Sequence, residues 1–215
     1  TLTRMKIDTI DCSNVGKRYM FEWVIRSFDY SFRSGQCYAI KGPNGSGKST
    51  LLKMLSGHAT PSQGSIIFGN NSKVIPISDV FNYVTYAAPY IELIDELTVN
   101  ELIHLHHGLR PVDNLIEVVD LIASLPFKGM LDKKIGELSS GMKQRIKLIL
   151  AIKTNTSIIL LDEPGTNLDD AGKSWFEELL RPKIYDHIVI IASNDESDLS
   201  LANHSLLVTD YKEKR

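Results

Sequence analysis

Cysteine is nearly absent from the 215 residues: Cys12 and Cys37 stand alone, in no metal-ligand spacing. That argues against a disulfide framework and fits a reducing compartment. Charge of one sign is not in excess either. Lys and Arg number 24 against 26 Asp and Glu, a formal net charge of −2, so nothing suggests a nucleic-acid surface. No apolar run approaches the roughly 18 residues that cross a bilayer, and no charged-then-apolar leader opens the sequence. Internal repeats and low-complexity segments are missing too. A cytoplasmic chain that can still dock onto a membrane protein fits all of these absences. Met5 reads as a natural start, with residues 1–4 as additions.

What is present is ordinary in bulk: 43% hydrophobic and 23% charged residues, enough for one sizeable core or two small ones. Residues 5–15 and 21–34 read as strands, the second through the alternation in VIRSFDYSF. CYAIKG is a short apolar strand running into glycines, and STLLKMLSG a helix ending near Gly57. SIIFG and NYVTYA are further strands. From about Pro89 to Glu137 the pattern turns helical, through LTVNELIHLHHGL and NLIEVVDLIASL. Beyond it come the helix GMKQRIKLILAIK, the strand SIILLD, a helix through KSWFEELL, the strand HIVIIAS and a last strand SLLVT. Strands alternating with helices predict an α/β fold, a mostly parallel sheet flanked by helices. The opening strands suggest an additional antiparallel sheet, and the middle segment an inserted helical lobe.

The stretch Gly42, Pro43, Asn44, Gly45, Ser46, Gly47, Lys48, Ser49 matches GxxxxGK[ST] in full, with Thr50 following. It lies after an apolar strand and before a helix, where a P-loop must lie. Glycines let backbone N–H groups turn toward phosphate oxygens, and a helix N-terminus adds favourable partial charge. Lys48 neutralises β- and γ-phosphates in such a loop, and the Ser49 hydroxyl ligates Mg²⁺. A glycine-rich turn that merely imitates the pattern is the bland alternative. SIILLD followed by Glu163 makes the P-loop reading strong: Asp162 can hold the Mg²⁺ shell, and Glu163 can orient and polarise a water.

Leu138-Ser139-Ser140-Gly141-Met142 followed by KQRIKL resembles the LSGGQ signature of ABC-type ATPases, a short helix upstream of IILLDEP. Asn167, Leu168 and Asp169 resemble that family's D-loop, and Tyr19 its adenine-stacking aromatic. The resemblance covers essentially the whole chain. It implies a single P-loop NTPase domain over 1–215, with a catalytic lobe of 1–88 and 138–215 and a helical subdomain of 89–137. It also implies ATP and Mg²⁺ as ligands, and a head-to-tail dimer with a second ATPase subunit, identical or not. In that dimer each ATP sits between one P-loop and the partner's Ser139, Ser140, Gly141 and Met142. A separate transmembrane permease would be driven from the inner face of the membrane, with export-type subunits the nearer form. The groove near residues 86–100 would receive that permease.

Two departures from the family pattern bear on mechanism. The lobe-bridging Gln is replaced by Ala88 or Pro89, whose side chains neither donate nor accept. IIASND stands where the family has IIASHD, placing Asn194 at the switch histidine beside the γ-phosphate. Asn offers a neutral amide and cannot carry a proton's charge, so slow turnover is expected. Outside the site, His104, His106 and His107 read as a solvated helix surface rather than a metal cluster, and Phe21 and Trp23 as packing residues. YKEKR reads as a solvated tail. Rival readings are a soluble ABC ATPase acting on DNA or ribosomes, and a nucleotide-gated scaffold that scarcely hydrolyses ATP. No coiled-coil insertion and no second ATPase module in the sequence supports the first rival.

Overall fold

The computed structural model describes residues 6–70, 73–125 and 129–212. The suggested start at Met5 and the last three residues of YKEKR fall outside that set.

Two sheets carry the chain. Strands β1 (Thr9–Tyr19), β2 (Glu22–Arg33), β4 (Gln63–Asn70) and β5 (Lys73–Ile75) form an antiparallel sheet in the order β2-β1-β4-β5. Strands β3 (Gln36–Lys41), β6 (Val84–Ala87), β7 (Ile158–Asp162), β8 (Ile188–Ala192) and β9 (His204–Leu207) form the second, in the order β6-β7-β8-β3-β9. Every pairing in the second sheet is parallel. In β7 and β8 every residue is buried, which explains their unbroken Ile/Leu/Val runs: a central parallel strand is covered on both faces. One core fills the space between the sheets around Phe28, Phe32, Leu51 and Leu55. On the opposite face of the parallel sheet, Leu148, Ile152, Phe176 and Leu180 pack against Ile159, Leu161 and Val189.

The expected helices form as α1 (Lys48–Leu55), α2 (Val99–Leu109), α3 (Leu115–Ala123), α4 (Ser140–Lys153) and α5 (Asp170–Leu180). Helix α2 starts at a capping box, with Thr98 Oγ1 accepting from Glu101 N–H and Glu101 returning to the Thr98 backbone. Helices α2 and α3 share a separate apolar cluster with Met142, Ile146 and Ile149 of α4. Helix α4 therefore faces this helical cluster on one side and the parallel sheet on the other.

Local reading and structure part in four places. Strand β1 runs to Tyr19, four residues past the expected end, because pairing with β2 carries its polar tail from Lys17 to Tyr19, beyond Gly16, the last residue paired with β4. Strand β5, only three residues long, is too short for any periodic signal. Phe21 is not a packing residue: it is 97% exposed at the β1–β2 turn, whereas Trp23 does pack, lying against Gly16 between Arg18 and Arg26. The histidines are only partly a solvated face. His104 is exposed, but the half-buried His106 places Nε2 2.8 Å from Thr154 Oγ1, fastening α2 to the end of α4. Among the described residues no group of three or more His, Cys, Asp or Glu residues could hold a metal ion.

Burial, with Arg110 and His107 adding to it, pushes the His106 imidazole down to about 4. An unfolded histidine takes up its proton near 6.5, so between that pH and about 4 the unfolded state binds more protons. Stability therefore falls as pH drops through this window. His106→Gln should flatten that part of the curve, compared by urea unfolding at pH 7 and pH 4.5. Parallel curves for the two proteins would mean that His106 contributes nothing there.

Candidate functional site

In a parallel sheet all carboxyl ends gather at one edge, and neighbouring strands lie about 4.8 Å apart. Here β8 lies between β3 and β7, with Ala192 in register with both Ile40 and Asp162. The segments that follow these three strands are the P-loop, Glu163 and Ser193-Asn194. Residues distant in sequence thus meet at one point.

The P-loop turns on glycines at two obligatory places. Gly42 has φ +148 and a Cβ there would sit 2.6 Å from Ser46 Oγ; Gly47 has φ +111 and a Cβ would sit 2.9 Å from Val24. Gly47 opens α1, and Lys48 follows as the first residue of that helix, only 5% exposed. Its Nζ donates to Gly42 O at 2.8 Å and to Asn194 Oδ1 at 2.9 Å, and lies 3.3 Å from Glu163 Oε1. Three N–H donors thus face three acceptors. Because an ammonium only donates, it fixes the Asn194 amide with its oxygen inward. The Asn194 Nδ2 then donates to Asn44 Oδ1 at 2.6 Å.

At the end of β7, Asp162 is 2% exposed and its Oδ1 is buried without a hydrogen-bond partner, as is Ser46 Oγ. Burial raises the Asp162 carboxyl above its ordinary range, while hydrogen bonds from Ser49 and Tyr86 and the nearby Lys48 pull it down. A buried carboxylate oxygen with a hydroxyl beside it is the oxygen donor set that Mg²⁺ takes. Ser49 and Asp162 therefore fit the metal, and the P-loop backbone fits phosphate oxygens. Glu163 adopts φ +46, uncommon outside glycine, with its N–H bonded to Ala192 O at 2.7 Å. Its Oε2 lies 2.8 Å from Ser193 Oγ and 3.4 Å from Asn194 N.

Where the family has its bridging Gln, Ala88 is buried and Pro89 exposed. Lys147 of α4 reaches the Ala88 carbonyl at 3.2 Å. A different polar group reaches Asp162 from this segment, Tyr86, whose hydroxyl lies 3.3 Å from Asp162 Oδ2 and contacts the Tyr90 hydroxyl. Sequence reasoning missed Tyr86 because a tyrosine in a strand carries no signal of its own. Gln144 was missed for the same reason: from inside α4 its amide donates to Pro164 O at 2.7 Å, tying that helix to the turn after Glu163.

The remaining candidates lie apart from this centre. Tyr19 ends β1 half exposed, with Lys17 Nζ 5.3 Å from its ring centroid. Ser139 caps α4, its Oγ accepting Met142 N–H at 3.3 Å, and Ser140 begins the helix in the open. The Met142 side chain, expected to face a partner's ATP, is instead buried among the helical cluster, while Ser139 and Ser140 are exposed. Gly141 is pressed against the D-loop: a Cβ there would stand 2.9 Å from Asn167 O. Leu168 packs toward the parallel sheet. Asp169 caps α5 through Gly172 N–H and pairs with Arg145 at 3.1 Å.

The family model described as ABC transporter matches residues 25–166. The chain is 33% identical over 180 residues to the Nod factor export ATP-binding protein I of Burkholderia orbicola, covering 82% of this chain and 59% of that protein. It is 29% identical over 214 residues to the spermidine/putrescine import ATP-binding protein PotA of Mycoplasma mycoides, covering 95% and 60%. The chain thus spans about three fifths of the length of these curated relatives. The dimeric structure of MJ0796, a bacterial ABC transporter cassette, superposes with a TM-score of 0.81 at 21% identity, over 96% of this chain and 97% of that one, a likeness of fold. No helix among the described residues is long and apolar enough to cross a membrane. With a P-loop, an acidic strand end and a signature helix assembled on that fold, the chain belongs to the ABC transporter family.

Proposed function

We propose that this chain binds and hydrolyses ATP and powers a separate membrane-embedded partner from the cytoplasmic face. The observation that carries the reading is the meeting of Lys48, Glu163 and Asn194 beneath the P-loop, beside a buried Asp162 oxygen without a partner. Lys48 and the loop N–H groups bind the phosphates, Ser49 and Asp162 hold Mg²⁺, and Glu163 orients and deprotonates the attacking water. Bound Mg²⁺ supplies positive charge to the phosphate oxygens. Tyr19 stacks on adenine.

Ser139, Ser140 and Gly141 of a second ATPase subunit close over the nucleotide, with Asn167, Leu168 and Asp169 at the same junction. ATP thus closes a dimer, and hydrolysis reopens it. The lobe of residues 89–137 and the segment 86–100 receive the permease. Export is the direction favoured by the relatives above 30% identity, whose names carry it. ATP hydrolysis by the purified chain, with size-exclusion chromatography in ATP, tests this reading. An ATP-bound monomer without turnover overturns it.

A second reading, a nucleotide-gated scaffold that scarcely hydrolyses ATP, draws support from Asn194. Its amide donor is committed to Asn44 rather than to the phosphate side. A histidine at this position can offer a ring N–H and a positive charge to the γ-phosphate. Asn194→His should therefore raise kcat about 10-fold or more with ATP affinity little changed. Equal rates in the two proteins would make Asn194 a working equivalent of histidine.

A further inference from the structure

Ser193 follows β8 directly and is fully buried, and Asp198, five residues on, is 3% exposed. The Ser193 hydroxyl stands 2.7 Å from Asp198 Oδ2 and 2.8 Å from Glu163 Oε2, and accepts Asp195 N–H at 3.0 Å. A hydroxyl has one proton, so it cannot donate to two carboxylates at once. With both contacts this short, one O–H serves one of them well, and the other is best made by a carboxylic acid O–H donating to Ser193 Oγ.

Of the two carboxyl groups it is Glu163 that faces a cation, with Lys48 Nζ 3.3 Å from its Oε1, and Asn194 N–H points at its Oε2. Among the described residues no cation forms an ion pair with Asp198. Lys173, which acts on it electrostatically, is occupied by Asp195 and Ser197. The Gly165 backbone closes the other side so tightly that a Cβ on Gly165 would lie 2.0 Å from Asp198 Oδ1.

We propose that Asp198 and Ser193 are positioning residues for the candidate base: Asp198 carries a proton and donates it in a hydrogen bond to Ser193 Oγ, and Ser193 donates to Glu163 Oε2. Oε2 is thereby held by Ser193 and the Asn194 backbone, and Oε1 remains the oxygen turned to the phosphate side. Burial supports this by raising the Asp198 carboxyl, with Asp195 adding to the rise. Ser193, the Gly165 backbone and Lys173 oppose it. Glu163 gains from such a hold because it follows a strand end in a left-handed backbone conformation, and the Ser193 contact at 2.8 Å is shorter than those of Lys48 and Asn194 N–H.

The inference rests on the ATPase reading for its consequence but not for its arrangement, so the experiment has two arms. In the first, the infrared spectrum of the nucleotide-free protein at pH 7 is compared with that of Asp198→Asn. A protonated-carboxyl C=O band present in the former and missing from the latter is expected, and its absence overturns the proposal even if ATP is hydrolysed normally. In the second, Ser193→Ala and Asp198→Ala should each lower kcat about 10-fold with KM for ATP unchanged. Asp198→Asn, whose amide N–H can donate to Ser193 Oγ, should lose less than threefold. Ser193→Ala at the full rate, or Asp198→Asn falling as far as Asp198→Ala, overturns the proposal. If the unaltered protein hydrolyses no ATP, the ATPase reading fails while the infrared arm still decides for or against the pair.

Discussion

Glu163→Gln lowers ATP turnover at least about 100-fold, leaves ATP affinity within a fewfold of normal and leaves the protein dimeric in ATP. Each part follows from the geometry. A positioned general base contributes about 10²–10⁴ in rate, and an amide of the same shape accepts no proton from water. The fold tolerates the change because Oε2 is held by Ser193 Oγ and Asn194 N–H. A glutamine oriented with its carbonyl toward those donors keeps both bonds. The ion pair with Lys48 is lost, yet Lys48 keeps Gly42 O and Asn194 Oδ1 as acceptors. Phosphates arriving at the loop then meet a less crowded ammonium, so affinity does not suffer. Single-turnover hydrolysis and size-exclusion chromatography with ATP check both halves. A variant with full turnover would remove Glu163 from the role of base and leave Asp162 or a water chain to be examined.

The parts of this site legible in the sequence are those built from contiguous residues. The P-loop is written in one stretch because a strand, a turn and a helix N-terminus suffice to make it. Asp162 and Glu163 were legible only beside the P-loop, because many strands end in an acid and the pairing with GxxxxGK[ST] is what gives this one a purpose. Ser193 and Asn194 were legible as an edge but not as a network. Their partners, Glu163 and Lys48, are brought to them by the parallel register of β3, β7 and β8, and nothing local encodes which strands become neighbours. Asp198 shows the same limit more sharply. In the string SNDESD it is one acid among three, and only its burial against Gly165 sets it apart from Asp195 and Glu196. The helical lobe was foreseen as helices, yet its core takes Met142, Ile146 and Ile149 from α4. Periodicity identified α4 as a helix. A helix buried on two sides shows little amphipathic contrast to say where each face goes.

Lys48→Met is the other change with a large expected effect, because it removes the one buried cation at the meeting point while keeping the methylene stem that packs there. Charge-assisted hydrogen bonds contribute about 1.5–3 kcal/mol each, so loss of the ammonium should weaken ATP binding roughly 10- to 100-fold. Turnover should fall further, by 100-fold or more, because charge develops on the phosphate oxygens during transfer. Lys48→Arg is no rescue: the residue is 5% exposed, and a planar fork cannot satisfy Gly42 O, Asn194 Oδ1 and Glu163 Oε1 in the directions an ammonium serves. A competing possibility is that the P-loop N–H groups and the α1 terminus hold the phosphates by themselves. Isothermal titration with a non-hydrolysable ATP analogue separates the two, since backbone binding alone predicts a Kd within threefold of the unaltered protein. Asn194 gives an internal control. Without Lys48 the amide loses the donor that fixes its orientation and is free to turn its N–H inward, so Lys48→Met and Asn194→Ala combined should show less than the sum of their separate effects on ATP affinity. Additive losses would mean that the two side chains do not act as the unit their 2.9 Å contact implies.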